Sequence, residues 1–235
     1  QSHLMAKLPL WKNFKHIDCW IFDLDNTLYP SKSNLFAKID VKMGEFISEF
    51  LNVDLVEAKN VQKKYFDEHG TTLNGLMQNY DIDPSDFLNY VHDIDVSDLS
   101  ASPELGSALE QLPGRKIIFT NGSHYHATNV SSQLGIDHHF EHIFDIVAAD
   151  YKPKPHKPVY EKLIRELDID PEKAVLFEDM AVNLAPAHDM GMTTVWIPND
   201  AHWSTTGAEG EHIHYQTDDL AQWLTELLAD RSNII

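Results

Sequence analysis

The stretch from Ile21 to Tyr29 constrains this chain most: an apolar run that begins at Ile17 stops at Asp23 and Asp25, two carboxylates one residue apart. A short apolar run bounded in this way reads as a strand buried on both faces, which requires a parallel sheet with helices on either side. Alternate side chains of a strand point the same way, so Asp23 and Asp25 address one point just past the strand end. Open α/β sheets gather their ligands at such carboxyl ends. A calcium loop counted from Asp23 fails, because Leu28 stands where the sharp turn wants Gly and Asn34 where a bidentate Glu is required. Two readings remain: a solvated acidic turn, and a nucleophile beside a general acid/base.

The segments that follow alternate in character. Phe36, Ile39, Met43, Phe46, Ile47, Phe50 and Leu51 recur at helical spacing, and further helical patterns cover residues 55–69, 73–80 and 85–91, broken at Gly70 and at Asp83-Pro84. No strand-like alternation interrupts residues 31–100, and that length is too great for a loop, so an inserted all-helical subdomain is expected there. After a helix over 103–112, residues 116–119 form a second apolar strand ending in Thr120-Asn121-Gly122. Helices over 123–134, 159–167, 183–190 and 218–228 then alternate with strands over 143–148, 174–177 and 193–197, while 201–216 reads as loop. Right-handed crossovers give an α/β parallel sheet covered on both faces. Three strand tips carry polar residues to one edge: Asp23 and Asp25, Thr120 and Asn121, Glu178 and Asp179. The helical insertion leaves from that same edge, where it can act as a lid.

Composition narrows the function. With 37 acidic against 18 basic residues, a formal charge of -19 argues against a nucleic-acid polymer, whose phosphates need clustered Lys and Arg. A small phosphate ester needs only a lysine, a divalent cation and a few backbone N–H groups. No apolar run approaches the roughly 18 residues of a membrane span, and a basic-then-apolar leader pattern is missing, so a cytoplasmic protein without a membrane partner is expected. Residues 1–5 read as a tag remnant. The single cysteine, Cys19, lies in the first strand and reads as a buried small hydrophobe rather than a reactive thiol. Oligomeric state has no signature in the sequence.

The sequence Asp23-x-Asp25-x-Thr27, then Thr120, a lysine-proline segment around Lys154, and Glu178-Asp179 resemble, in order, the four motifs of the haloacid dehalogenase-like hydrolases. The resemblance spans nearly the whole chain. It implies a Rossmann-like α/β core from residues 6–30 and 101–235, with residues 31–100 as an inserted helical cap of the first (C1) type. Within that cap, residues 69–76 and 90–95 are similar to the pyrimidine 5'-nucleotidase subgroup. The resemblance further implies that Asp23 attacks phosphorus to form an aspartyl-phosphate. Asp25 then serves as acid and base, and Thr120 and the Asn121 amide hold phosphoryl oxygens. Mg²⁺ would sit on the Asp23 carboxylate, the Asp25 backbone carbonyl and Asp179, with Glu178 nearby. Lys152, Lys154 and Lys157 all precede prolines; Lys154 is chosen as catalytic because Tyr160 follows it at the family's spacing.

The expected activity is thus Mg²⁺-dependent hydrolysis of small phosphomonoesters, with pyrimidine nucleoside 5'-monophosphates favoured. A sugar-phosphate phosphatase and a phosphomutase share the same core motifs. A 2-haloacid dehalogenase would need neither Asp25 nor a metal, and a phospho-acceptor module would not carry so large an insertion. The cluster His138-His139-x-x-His142 lacks a second ordered ligand set and is set aside as a metal site. His124 and His126 are expected either to touch substrate or to serve as capping or surface residues. Asn183 is expected to brace the acidic loop or face solvent, the cap's Phe and Met stripe to pack as core, and Thr71-Thr72-Leu73 to contact substrate.

Overall fold

A computed structural model describes residues 8–234; the tag remnant expected at residues 1–5 lies outside them. Strand β1 (Cys19–Phe22) is buried along its whole length and pairs in parallel with β2 (Arg115–Phe119) and β4 (Ala174–Glu178). Strands β3 (His142–Phe144), β5 (Thr193–Trp196) and β6 (Tyr215–Gln216) complete an all-parallel sheet of order β3-β2-β1-β4-β5-β6 among the described residues.

The pleat of β1 sorts its residues between two cores. Trp20 and Phe22 join Ile118, Val175 and Phe177 on the face covered by α5 (Pro103–Gln111), α6 (His124–Gln133) and α10 (Leu220–Ile234). Cys19 and Ile21 join Ile117, Phe119 and Leu176 on the face covered by α7 (Lys157–Glu166) and α8 (Ala185–Asp189). Burial pushes the Cys19 thiol up to about 12, in keeping with a small hydrophobe.

The insertion between β1 and β2 consists of α1 (Leu35–Leu51), α2 (Leu55–His69), α3 (Thr72–Asn79) and α4 (Pro84–Val91). Local chemistry starts three of these helices: the side chains of Asp54, Thr71 and Asp83 each accept a first-turn backbone N–H. Ile39, Ile47, Leu76, Phe87 and Val91 form a core of their own. A Cβ on Gly75 would stand 2.3 Å from the Tyr65 Cβ, so glycine sets how closely α2 and α3 approach.

Some boundaries differ from the sequence reading. The strand expected over 143–148 is His142–Phe144, because the Asp145 carboxylate accepts from the His124 and Ala148 N–H groups and turns the chain. The helix expected over 183–190 opens as a 3-10 turn at Ala181–Leu184, and the α-helix proper begins just before Pro186. The loop expected over 201–216 contains a short helix, α9 (His202–Thr205), and β6. Among the described residues no helix is long and apolar enough to cross a membrane.

Candidate active site

Asp23 follows β1 directly, its N–H bonded to the Phe177 carbonyl of β4 at 2.9 Å, so the strand ladder itself aims its carboxylate. Oδ2 accepts from the Thr27 hydroxyl at 3.1 Å, and Oδ1 lies 3.1 Å from the Lys154 ammonium. Lys154 is 2 % exposed and also donates to Glu178 Oε1 at 2.8 Å and to the Phe119 carbonyl at 2.9 Å. Lys152 and Lys157 are exposed. The Asn121 side chain clamps the lysine's own backbone, accepting from its N–H at 2.8 Å and donating to its carbonyl at 3.4 Å. Asn121 therefore spends its side-chain amide on holding Lys154. The Thr120 hydroxyl accepts from the Gly122 N–H at 2.9 Å, which leaves its own proton to donate.

Glu178 and Asp179 end β4. Glu178 is held on all sides, by Lys154, by the Asn183 amide at 2.9 Å and by the Met180 N–H at 3.1 Å, so Asn183 braces the acidic loop and is buried there. Asp179 is anchored through its carbonyl, which accepts from Trp196 Nε1 at 2.9 Å and from the Ser204 hydroxyl at 2.6 Å.

Carboxylate oxygens of Asp23, Glu178 and Asp179 lie within 4.8 Å of one another, all buried. Burial opposes ionisation of Glu178, but Lys154 and the surrounding hydrogen bonds outweigh it and hold the group below its usual range. The same charge then works on its neighbours. Burial and Glu178 push Asp23 up to about 7 against the pull of Lys154, and push Asp179 well above the carboxylate range. Three buried carboxyls, two of them sharing one ammonium, are a hard-oxygen donor set short of positive charge, which fits a divalent cation such as Mg²⁺.

Asp25 stands in different company. Its Oδ1 accepts from the Tyr29 hydroxyl at 2.6 Å and pairs with His126 Nε2 at 2.8 Å. Burial works to raise its pKa, but His126 and these hydrogen bonds outweigh it and hold the carboxyl below its usual range. The His126 ring stacks on His92 with centroids 4.3 Å apart and planes within 5°. His92 belongs to the insertion, just past α4. The sequence reading missed Tyr29, and it left His126 between substrate contact and capping; the structure gives it instead a buried place against Asp25. Its one sequence signal was a position in the first turn after the Thr120 loop. His124 offers its backbone N–H to Asp145. The exposed His138 and the partly buried His139 lie outside this cluster.

A cavity of about 320 Å³ opens between these strand tips and the inserted helices. Phe36, Met43 and Phe66, expected in the insertion's core, are only partly buried and line it, because the faces of α1 and α2 that carry them look toward the sheet edge. Gln62 also lines it, buried, with Nε2 on Asp40 at 3.2 Å and Oε1 without a partner among the described residues. Thr71 and Thr72 reach the cavity, but their hydroxyls are engaged: Thr71 caps α3, and Thr72 donates to the Gln62 carbonyl at 3.2 Å. Gly70 ends α2 at φ +83°, where an added Cβ would stand 3.6 Å from the Lys154 carbonyl.

Comparison with known proteins agrees with this geometry. The model of the haloacid dehalogenase-like hydrolases matches residues 17–191. The chain is 27% identical over 191 residues to phosphate metabolism protein 8 of Saccharomyces cerevisiae, covering 74% of this chain but only 59% of that protein. It is 26% identical over 193 residues to glyceraldehyde 3-phosphate phosphatase of Methanocaldococcus jannaschii, covering 75% of this chain and 83% of that one. Two solved structures share the fold. A phosphatase from Thermococcus onnurineus superposes with a TM-score of 0.60 at 17% identity, covering 91% of this chain and 99% of its own. CbbY from Rhodobacter sphaeroides in complex with phosphate gives 0.61 at 18%, covering 90% and 99%.

Proposed function

Because this chain belongs to the haloacid dehalogenase-like hydrolases, we propose that it is a Mg²⁺-dependent phosphomonoesterase working through Asp23, with nucleoside 5'-monophosphates, pyrimidines foremost, as its substrates. The observation that carries the reading is the buried group Asp23, Glu178 and Asp179, the first two of which share the Lys154 ammonium. A dehalogenase using the same nucleophile has no need of surplus carboxylates, nor of a second aspartate with its own hydrogen bonds. The archaeal relative, by name a phosphatase, and the yeast relative, named for phosphate metabolism, support the same class.

Asp23, steadied by Thr27 and Lys154, attacks phosphorus; the bond to the leaving oxygen breaks and Asp25 gives that oxygen its proton. Water then attacks the aspartyl-phosphate, Asp25 takes the water's proton, and the Asp23 carboxylate is released with inorganic phosphate. Lys154, the Thr120 hydroxyl and the Asn121 backbone N–H receive the phosphoryl oxygens. Asp23, Asp179 and Glu178, with the Asp25 carbonyl, would hold Mg²⁺, which when bound offsets the repulsion between a carboxylate and an anionic substrate. The helices of residues 31–100 serve as the cap. Their aromatic and thioether wall, interrupted by the Gln62–Asp40 pair, suits a flat group with hydrogen-bonding edges such as a nucleobase. A small sugar phosphate is the second reading, favoured by the triose phosphate in the name of the archaeal relative.

Phosphate release across nucleoside 5'-monophosphates and sugar phosphates, with Mg²⁺ or with chelator, tests this. Release from nucleotides that needs Mg²⁺ is expected. Turnover in chelator, or in Asp23→Asn, would sink the mechanism, and a profile led by sugar phosphates would replace the substrate class.

A further inference from the structure

His126 has no exposed surface, and among the described residues its Nδ1 is buried without a partner. A buried polar atom left unpaired is a cost that a packing residue such as leucine would avoid. The ring's hydrogen bond runs from Nε2 to Asp25 Oδ1, the same oxygen that takes the Tyr29 hydroxyl. Among the described residues, both hydrogen bonds to the Asp25 side chain land on Oδ1.

We infer that His126 is a positioning residue for Asp25: with Tyr29 it commits Oδ1, and so leaves Oδ2 as the oxygen that gives the proton to the leaving group and takes it back from water. This rests on the phosphomonoester reading above. Turning the carboxylate about its Cβ–Cγ bond would break both charge-assisted bonds at once. The imidazole is itself prevented from tipping. The backbone N–H of His126 is capped by Ser123 Oγ at 3.2 Å, and the ring's face is covered by His92, whose Nδ1 shares a hydrogen bond with that hydroxyl at 2.8 Å. Placement of the working oxygen thus depends on a core histidine braced by one from the insertion.

The test compares two esters in Mg²⁺: an alkyl phosphate, whose leaving oxygen must be protonated, and p-nitrophenyl phosphate, whose leaving group needs no proton. kcat/KM reports steps up to departure of that group. In His126→Leu, kcat/KM for the alkyl ester should fall by about 30-fold or more and for the aryl ester by less than about 3-fold, within the range of a displaced general acid. His126→Gln, which keeps an N–H near the position of Nε2, should bring the alkyl value back to within about 5-fold of wild type. Equal losses on both esters, no loss on either, or no rescue by Gln would overturn the assignment. Should H126L fail to fold, Tyr29→Phe must show the same alkyl-selective loss, and its absence would be equally fatal. Wild-type protein that releases phosphate from neither ester would overturn the phosphomonoester reading before any variant is made. Wild-type turnover with an unselective loss would overturn the positioning role alone.

Discussion

Asp23 and Asp25 leave the same strand tip one residue apart, and the fold gives them opposite surroundings. Asp23 faces two more carboxyls and shares one ammonium with Glu178, so burial and like charge push it up to about 7. Asp25 faces a phenol and an imidazole, which outweigh burial and hold it below its usual range. Sequence spacing makes the two acids look interchangeable. The difference lies in what other elements bring: β4 and the Lys154 segment on one side, α6 and the end of α4 on the other. One half of the site is charge-dense and suited to a cation and a phosphoryl group, while the other holds a single carboxylate between a phenol and an imidazole that aim it for proton transfer.

Substitutions can pull these halves apart. Asp23→Asn should lose turnover by on the order of 10⁴-fold or more, with an unchanged circular dichroism spectrum, since no phosphoenzyme can form. Lys154→Met strikes the same half; a loss on the order of 10³-fold is expected, together with about 3–5 kcal/mol of stability from stranding buried carboxylates, read as a lower urea midpoint. A midpoint unchanged by that substitution would mean the ammonium is not the counter-charge proposed here. Asp25→Asn should cost about 10²–10³-fold in steady-state turnover yet still pass phosphate from p-nitrophenyl phosphate to Asp23, so that acid-quenched protein carries label. If D25N traps no label, the two halves are not separable as drawn. Gln62→Leu touches neither acid; KM for a nucleoside monophosphate should rise by roughly 5- to 10-fold with kcat held, the scale of one lost hydrogen bond.

The parts of this site that could be read from the chain are those written locally. An apolar run ending in Asp23 and Asp25 declares a strand tip without reference to anything else, and the sheet around β1 followed from similar runs. Lys154 was told from Lys152 and Lys157 only through the family resemblance, by its spacing to Tyr160, whose hydroxyl the structure places on the Asn183 carbonyl. His126 was not distinguishable in the same way. Its role depends on which face α6 turns inward, and that helix, rich in His, Ser, Asn and Gln, carries only a faint apolar stripe. Ser204 was hidden for a different reason. Helix α9 is four residues long and is secured by a hydroxyl reaching the Asp179 carbonyl, a tertiary contact with no local pattern. Tyr29 was visible only as the last residue of the opening stretch, because a phenol's partner is fixed by packing rather than by spacing.

The position of β1 at the centre of the sheet has a consequence for how the chain acquires its shape. Both of its neighbours, β2 at residues 115–119 and β4 at residues 174–178, come after the whole helical insertion. During synthesis from the amino end, β1 must therefore wait with unsatisfied edges while four helices, whose contacts are mostly with one another, assemble ahead of it. The strand that carries both acids is made before either of its partners, so the site comes into being only after β4 and its Glu178-Asp179 tip have followed.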